Sequence, residues 1–171
     1  MVLGLDASTS CVGYSFTKGS DIIEMGFIDI IKIRDINEKA LYVYEKLSEN
    51  PLIQEIECMY IEDSLSGFAR GRTSIQTIIK LAQFNAIIRF IFTFTATIKV
   101  IGVNPNTARK AIFGKARVKG KTSKQFVRDE LEKRYDMTKW IKINKKGNFD
   151  QKNLDAYDAT VVSLYHNSNS K

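Results

Sequence analysis

Four acidic residues stand where carboxylates can do chemistry. Asp6 closes the apolar run Val2-Leu3-Gly4-Leu5, Glu62 closes Cys58-Met59-Tyr60-Ile61, and Asp155 and Asp158 lie three apart in the apolar stretch Leu154 to Tyr165. That spacing puts the last two on one side of a helix. Carboxylates brought together repel and raise one another's pKa, an arrangement that makes sense chiefly when divalent cations neutralise it. Two Mg²⁺ ions about 4 Å apart in such a cluster would activate a water and stabilise the leaving oxygen of a phosphodiester. Taken singly, an acid at a strand end is ordinarily a turn or cap residue, and an i, i+3 pair is ordinarily a solvated helix face. The surroundings of Asp155 and Asp158 argue otherwise. Leu154, Ala156, Ala159, Val161 and Val162 mark this helix as largely buried, where an unpaired carboxylate is costly.

Whether these acids meet depends on the elements that carry them. Three strand-like runs come first, Val2 to Asp6, Cys11 to Thr17 and Ile22 to Ile30, with turn residues at Ser8, Ser10 and Lys18-Gly19-Ser20 between them, and they read as an antiparallel meander. Asn37 is placed to cap a helix with Ala40, Leu41, Tyr44 and Leu47 at helical spacing, ending before Asn50-Pro51. Cys58 to Glu62 reads as a buried strand, followed by a glycine-containing loop, Ser66 to Thr73. Ser74 to about Phe94 has two apolar faces, one from Ile75, Ile78, Ala82, Ala86 and Phe90 and the other from Leu81, Phe84, Ile88 and Ile91, which predicts a helix buried on both sides. Ile98 to Val103 is a fifth strand, Thr122 with Gln125 forms a capping box that opens a helix to about Tyr135, and a last helix spans Leu154 to Tyr165.

The order β-β-β-α-β-α-β-α-α, with no internal repeat, predicts one α/β domain over residues 1–171: a five-stranded mixed sheet flanked by helices, with 166–171 as a flexible tail. Its topology resembles the ribonuclease H-like fold. In a sheet of that order strands one and four are neighbours and the last helix packs across them. The four carboxylates can then converge although 149 residues separate Asp6 from Asp155.

Charge and composition narrow the function. The chain has 26 Lys plus Arg against 19 Asp plus Glu, a net charge of +7 that points to a polyanionic partner. Residues 99–146 hold 15 basic and 4 acidic residues, so the excess is one segment and the other 123 residues sum to −4. Only Cys11 and Cys58 occur, both in strand-like runs, which excludes a disulfide framework or a cysteine zinc site and predicts buried free thiols. Met1 leads directly into a strand with no basic region and long apolar stretch, so no secretory signal is visible and a cytoplasmic protein is expected. Phe84 to Ile98, the most apolar stretch, is interrupted by Asn85 and Arg89 and too short for a membrane span, so no membrane partner is expected. His166 sits in a polar tail and reads as a solvated residue rather than part of a catalytic triad.

Three segments together carry a family resemblance. Leu3-Gly4-Leu5-Asp6-x-Ser8-Thr9-x-x-x-Gly13, Tyr60-Ile61-Glu62 and Asp155-Ala156-Tyr157-Asp158-Ala159 resemble the motifs of the RuvC-type Holliday-junction resolvases, over nearly the whole chain. The resemblance implies a metal-dependent endonuclease that nicks branched DNA, resolving four-way junctions by paired symmetric hydrolysis and leaving a 5′ phosphate. It implies that Asp6, Glu62, Asp155 and Asp158 bind two Mg²⁺ ions, with Mn²⁺ able to substitute, and that the protein works as a homodimer. A four-way junction is approximately two-fold symmetric and needs two matching cuts, so an isologous dimer suits it. The helix Ser74 to Phe94 is the candidate dimer surface, the alternative being that its second face packs within its own subunit.

By the same resemblance Phe68 matches an aromatic that inserts at the crossover, with Arg70 and Arg72 beside it. Stacking on an unpaired base is worth roughly 1 to 3 kcal/mol. Asn104 to Lys124, with Arg109, Lys110, Lys115, Arg117, Lys119, Lys121 and Lys124 and glycines at 114 and 120, resembles a flexible basic rim that binds phosphates without reading sequence. Asp136 to Lys152 is an extra polar stretch, read as an added hairpin, and Asp63 stands where bacterial members often have a neutral amide. These departures predict cleavage selected by branched structure more than by sequence. The short form also resembles phage-encoded members, which would place it in a host cytoplasm.

Three other readings remain. Another ribonuclease H-like nuclease acting on flaps or hybrids shares the acids. Actin-like sugar kinases share the Leu-Gly-Leu-Asp-x-Ser-Thr segment, but need a second lobe for which 171 residues leave no room. A non-catalytic junction-binding protein is disfavoured because all four acids are present.

Overall fold

Period-two alternation decides what each strand offers to each side of the sheet. In β1 (Val2–Ala7), Leu3, Leu5 and Ala7 point to one side and Val2, Gly4 and Asp6 to the other; in β4 (Cys58–Glu62), Met59 and Ile61 oppose Cys58, Tyr60 and Glu62 in the same way. The computed structural model describes residues 1–63 and 74–169. Its further elements are β2 (Cys11–Lys18), β3 (Asp21–Asp29), α1 (Ile36–Ser48), α2 (Ile75–Phe94), β5 (Lys99–Val103), α3 (Pro105–Phe113), α4 (Ser123–Glu132) and α5 (Asn153–Asn169). The five strands form one mixed sheet in the order β3-β2-β1-β4-β5. β1 pairs antiparallel with β2 and β2 with β3, while β4 runs parallel to both β1 and β5.

Each face of the sheet is closed by helices, which is why the strands read as continuous apolar runs. On one side Leu3, Leu5, Phe16, Met59 and Ile61 pack with Val43 and Leu47 of α1 and Phe84, Ile88 and Phe92 of α2. On the other Val2, Cys58, Tyr60 and Val103 pack with Ala108 of α3, Phe126 and Leu131 of α4, and Ala156, Tyr157 and Val161 of α5. Helix α5 lies directly on the strands because two glycines leave it room. A Cβ on Gly4 would stand 2.2 Å from the Ala159 carbonyl oxygen, and one on Gly13 would stand 2.0 Å from that of Asp155. Both cysteines are free and buried, as their strand positions predict.

Five details depart from the sequence reading. Asp35, not Asn37, caps α1, accepting from the backbone N–H groups of Asn37 and Glu38 at 2.8 and 3.0 Å. The start of the presumed flexible rim is the helix α3, capped by Asn104, opened by Pro105 and closed by Gly114 at φ 75°. Helix α5 continues through His166, whose Nδ1 lies 3.2 Å from the Tyr60 hydroxyl, so residues 166–169 are helix rather than tail. Helix α2 is not buried on both sides within the subunit: Phe84, Ile88 and Phe92 are buried, while Ile75, Ile79, Phe90 and Phe94 are 50 to 75% exposed. Ile75–Thr95 is also longer than the stretch noted above and, with a mean hydropathy of 1.4, is long and apolar enough to cross a membrane by length and composition alone. Within 136–152, Ile143 bridges Phe149 antiparallel around a turn at Gly147, and Arg128 stacks on Phe149 at 4.1 Å, forming the expected hairpin.

Candidate active site

Strand register brings the first two acids together. Val2 pairs with Cys58 and Leu5 with Ile61, so Asp6 and Glu62 stand one step further at the carboxyl ends of adjacent parallel strands. Both side chains face α5, whose first turns carry Asp155 and Asp158. All four line one cleft of about 400 Å³, shared with Arg109, Arg117 and Lys124. The convergence read from strand order is present in the fold.

Burial and crowding set the charge state of the cluster. Burial first, then Glu62 and Asp158, push Asp6 well above the usual carboxylate range. Glu62 is pushed up to about 7 by burial and then by Asp158. Burial also raises Asp158, although Arg109 and Lys124 pull the other way. Two cations answer this charge from within. Arg109 donates from its Nη2 to Asp158 Oδ1 at 2.9 Å, with both side chains under 10% exposed. Lys124 is bonded to Asp155. Burial alone would lower its ammonium, but Asp6 and then Asp155 outweigh that and hold it raised.

A network that the sequence did not announce fixes the end of β4. Asn85, 5% exposed on α2, donates to the Glu62 carbonyl at 3.0 Å. Arg89 donates to Asn85 Oδ1 at 2.6 Å and to Asp63 at 2.5 Å. The two polar residues that interrupt the apolar helix are therefore the ones that tie it to the strand bearing Glu62. Their i, i+4 spacing was the available signal.

The donor set suits a hard divalent cation, which takes carboxylate and carbonyl oxygens. Asn106 adds a buried Oδ1 on the same cleft with no hydrogen-bond partner among the described residues. No group of three His, Cys, Asp or Glu side chains among the described residues stands as a ready ligand set. Two of the four carboxylates are engaged by cations, Asp158 by Arg109 and Asp155 by Lys124.

The basic residues divide. Arg109, expected on the rim, is not there: it is 8% exposed and turned into the acid cluster, because α3 presents that side to α5. Lys124 is likewise engaged with Asp155 at the cleft's edge. Lys110, Lys115, Arg117 and Lys119 are exposed on α3 and the segment after it, and Lys121 pairs with Asp129. Phe68, Arg70 and Arg72 lie outside the described residues.

No model of a known protein family matches this chain, and no curated protein matches it. Solved structures do. The RuvC of Thermus thermophilus in complex with a Holliday junction substrate superimposes with a TM-score of 0.66 at 14% identity, covering 99% of this chain and 93% of that one. The yeast mitochondrial Holliday junction resolvase Ydc2 gives 0.62 at 12% identity, covering 98% and 77%. Fowlpox virus resolvase with its substrate Holliday junction DNA gives 0.52 at 15% identity, covering 97% of each chain. The chain thus has the α/β fold of these proteins, a mixed five-stranded sheet flanked by helices in ribonuclease H-like topology.

Proposed function

We propose that this chain is a divalent-metal-dependent endonuclease that resolves four-way DNA junctions as a homodimer. The observation that carries this reading is the convergence of Asp6, Glu62, Asp155 and Asp158 on one cleft at the carboxyl ends of β1 and β4. The fold it shares with resolvases solved on junction DNA supports the choice of substrate. Asp6, Glu62, Asp155 and Asp158 would hold two Mg²⁺ or Mn²⁺ ions, which supply charge neutralisation and an activated water.

The chain's own residues prepare the rest. Arg109 opposes the effect of burial on Asp158 and aims its carboxyl group through the 2.9 Å contact. Lys124, with 46% of its side chain exposed, is the cation placed to leave Asp155 for the phosphate of the cut strand. Arg117 on the cleft, with Lys110, Lys115, Lys119 and Lys121, holds the flanking backbone. Water adds to phosphorus, the bond to the 3′ oxygen breaks, and that oxygen leaves with a proton, giving a 5′ phosphate and a 3′ hydroxyl.

The exposed side of α2 supports the dimer. Ile75, Ile79, Phe90 and Phe94, with Leu41 of α1, make an apolar surface of the kind a second copy covers. A panel of four-way junctions, flaps, RNA–DNA hybrids and linear duplexes, each with Mg²⁺ or chelator, tests the function. The expected result is Mg²⁺-dependent cutting of junctions in symmetric pairs. Cutting confined to flaps or hybrids would contradict it.

A further inference from the structure

A basic concavity lies outside the segment that concentrates the charge. Between the start of α1 and the first half of α2 is a cleft of about 360 Å³ lined by Thr9, Arg34, Asp35, Lys39, Lys80 and Gln83. Three cations line it against one carboxylate, and that carboxylate is committed, since Asp35 Oδ1 accepts two backbone N–H groups of α1. Lys39 donates to the Thr9 carbonyl and so pins the turn between β1 and β2. Arg34 and Lys80 are exposed, and among the described residues neither pairs with a carboxylate.

Position gives this cleft its meaning. Ser8 and Ser10 line the acid cleft and Thr9 lines the basic one, so the two stand on either side of one short turn. On its other flank the basic cleft meets the apolar surface, where Asn37 and Leu41 of α1 face Ala86 and Phe90 of α2. A second copy covering that surface would bring two basic clefts to the dimer's midline, between the two acid clefts. In such a dimer a strand leaving one cut site toward the centre of a junction would pass over that ground.

We propose that this cleft is a phosphodiester-binding site that holds the DNA strand running from the cut position toward the junction centre. The assignment rests on the junction-nuclease reading above. Arg34 supplies a planar fork matched to phosphate oxygens and Lys80 a point charge. Contacts of this kind position DNA without reading its sequence.

The test compares Arg34→Gln/Lys80→Gln with Lys18→Gln/Lys46→Gln. The control removes the same charge from the end of β2 and the last turn of α1, both at the far end of the sheet. Lys39 is left intact because it holds the turn. Binding to a four-way junction and to a short linear duplex is followed by fluorescence anisotropy in EDTA across a salt series, with cutting in Mg²⁺ scored separately. The expected result for Arg34→Gln/Lys80→Gln is about tenfold weaker junction binding, with the salt slope reduced by about 2. The duplex should lose less, and the control should change neither slope nor affinity appreciably. Equal losses in both variants, or equal losses on junction and duplex, would overturn the site while leaving the nuclease reading intact. A wild-type chain that neither binds nor cuts junctions would overturn both.

Discussion

Glu62 reports on the acid cluster one proton at a time. Its carboxyl is raised from an ordinary 4.5 to about 7, so between those values the folded chain binds more protons than the unfolded one. Stability of the metal-free protein should therefore fall as pH rises from 5 through 7, by an amount on the order of a few kcal/mol. Added Mg²⁺ should restore melting temperature most strongly above pH 7, and a melting temperature flat in both pH and Mg²⁺ would contradict the crowded cluster. Arg109 behaves oppositely. Removing it leaves Asp158 buried without its partner, so Arg109→Met should cost about 3 to 5 kcal/mol in urea unfolding. Adding Asp158→Asn should recover much of that, and strict additivity of the two changes would show that the pair does not act as one.

At the scale of elements, the sheet and the last helix must touch for the acids to meet. Gly13→Ala would place a methyl 2.0 Å from the Asp155 carbonyl oxygen, with backbone rather than a flexible side chain in its way. The expected outcome is a loss of about 1 to 3 kcal/mol or more and a larger loss of cutting, since α5 is pushed off β2 at the position that pairs with Asp6 of β1. Gly19→Ala, where nothing stands within 4 Å, tests by comparison whether close approach matters, although its φ of +58° adds backbone strain. This contact was legible in the sequence, because glycines flank Asp6 in β1 and β2 and the apolar run around Asp155 marks a buried helix. Strand order was legible for the same reason: short apolar runs ending in acids read as buried strands. Helix α3 was not, because its basic residues mask its period and its cap, Asn104-Pro105, resembles a turn, and without the helix Arg109 has the pattern of a rim cation. In the sequence Asn85 and Arg89 show only as interruptions of an apolar stretch, since the carbonyl that Asn85 serves lies 23 residues away.

The whole molecule carries two opposite fields and one open apolar surface. The basic excess of residues 99–146 lies along α3, the segment that follows it and residues 133–146, while the acid cleft sits between α3 and α5 and is neutralised only in part from within. The apolar side of α2 is the surface that the proposed dimer would cover, with Phe90 and Phe94 at 4.6 Å between ring centres. Phe90→Asp/Phe94→Asp should leave the fold intact, because both rings are more than 60% exposed, and should convert a dimer to a monomer in sedimentation. Such a monomer is expected to make single nicks instead of paired cuts. A variant that stays dimeric would place the dimer surface elsewhere.

The most direct measurement is cleavage and binding of a synthetic four-way junction by Asp6→Asn and Glu62→Gln, each assayed with Mg²⁺. Either change would take one carboxylate oxygen and its charge from the proposed metal-binding set, and with it a charge that repels phosphate. Cleavage should vanish in both variants while junction binding persists or tightens. Continued cleavage by either one would contradict a hydrolytic centre built on these four acids.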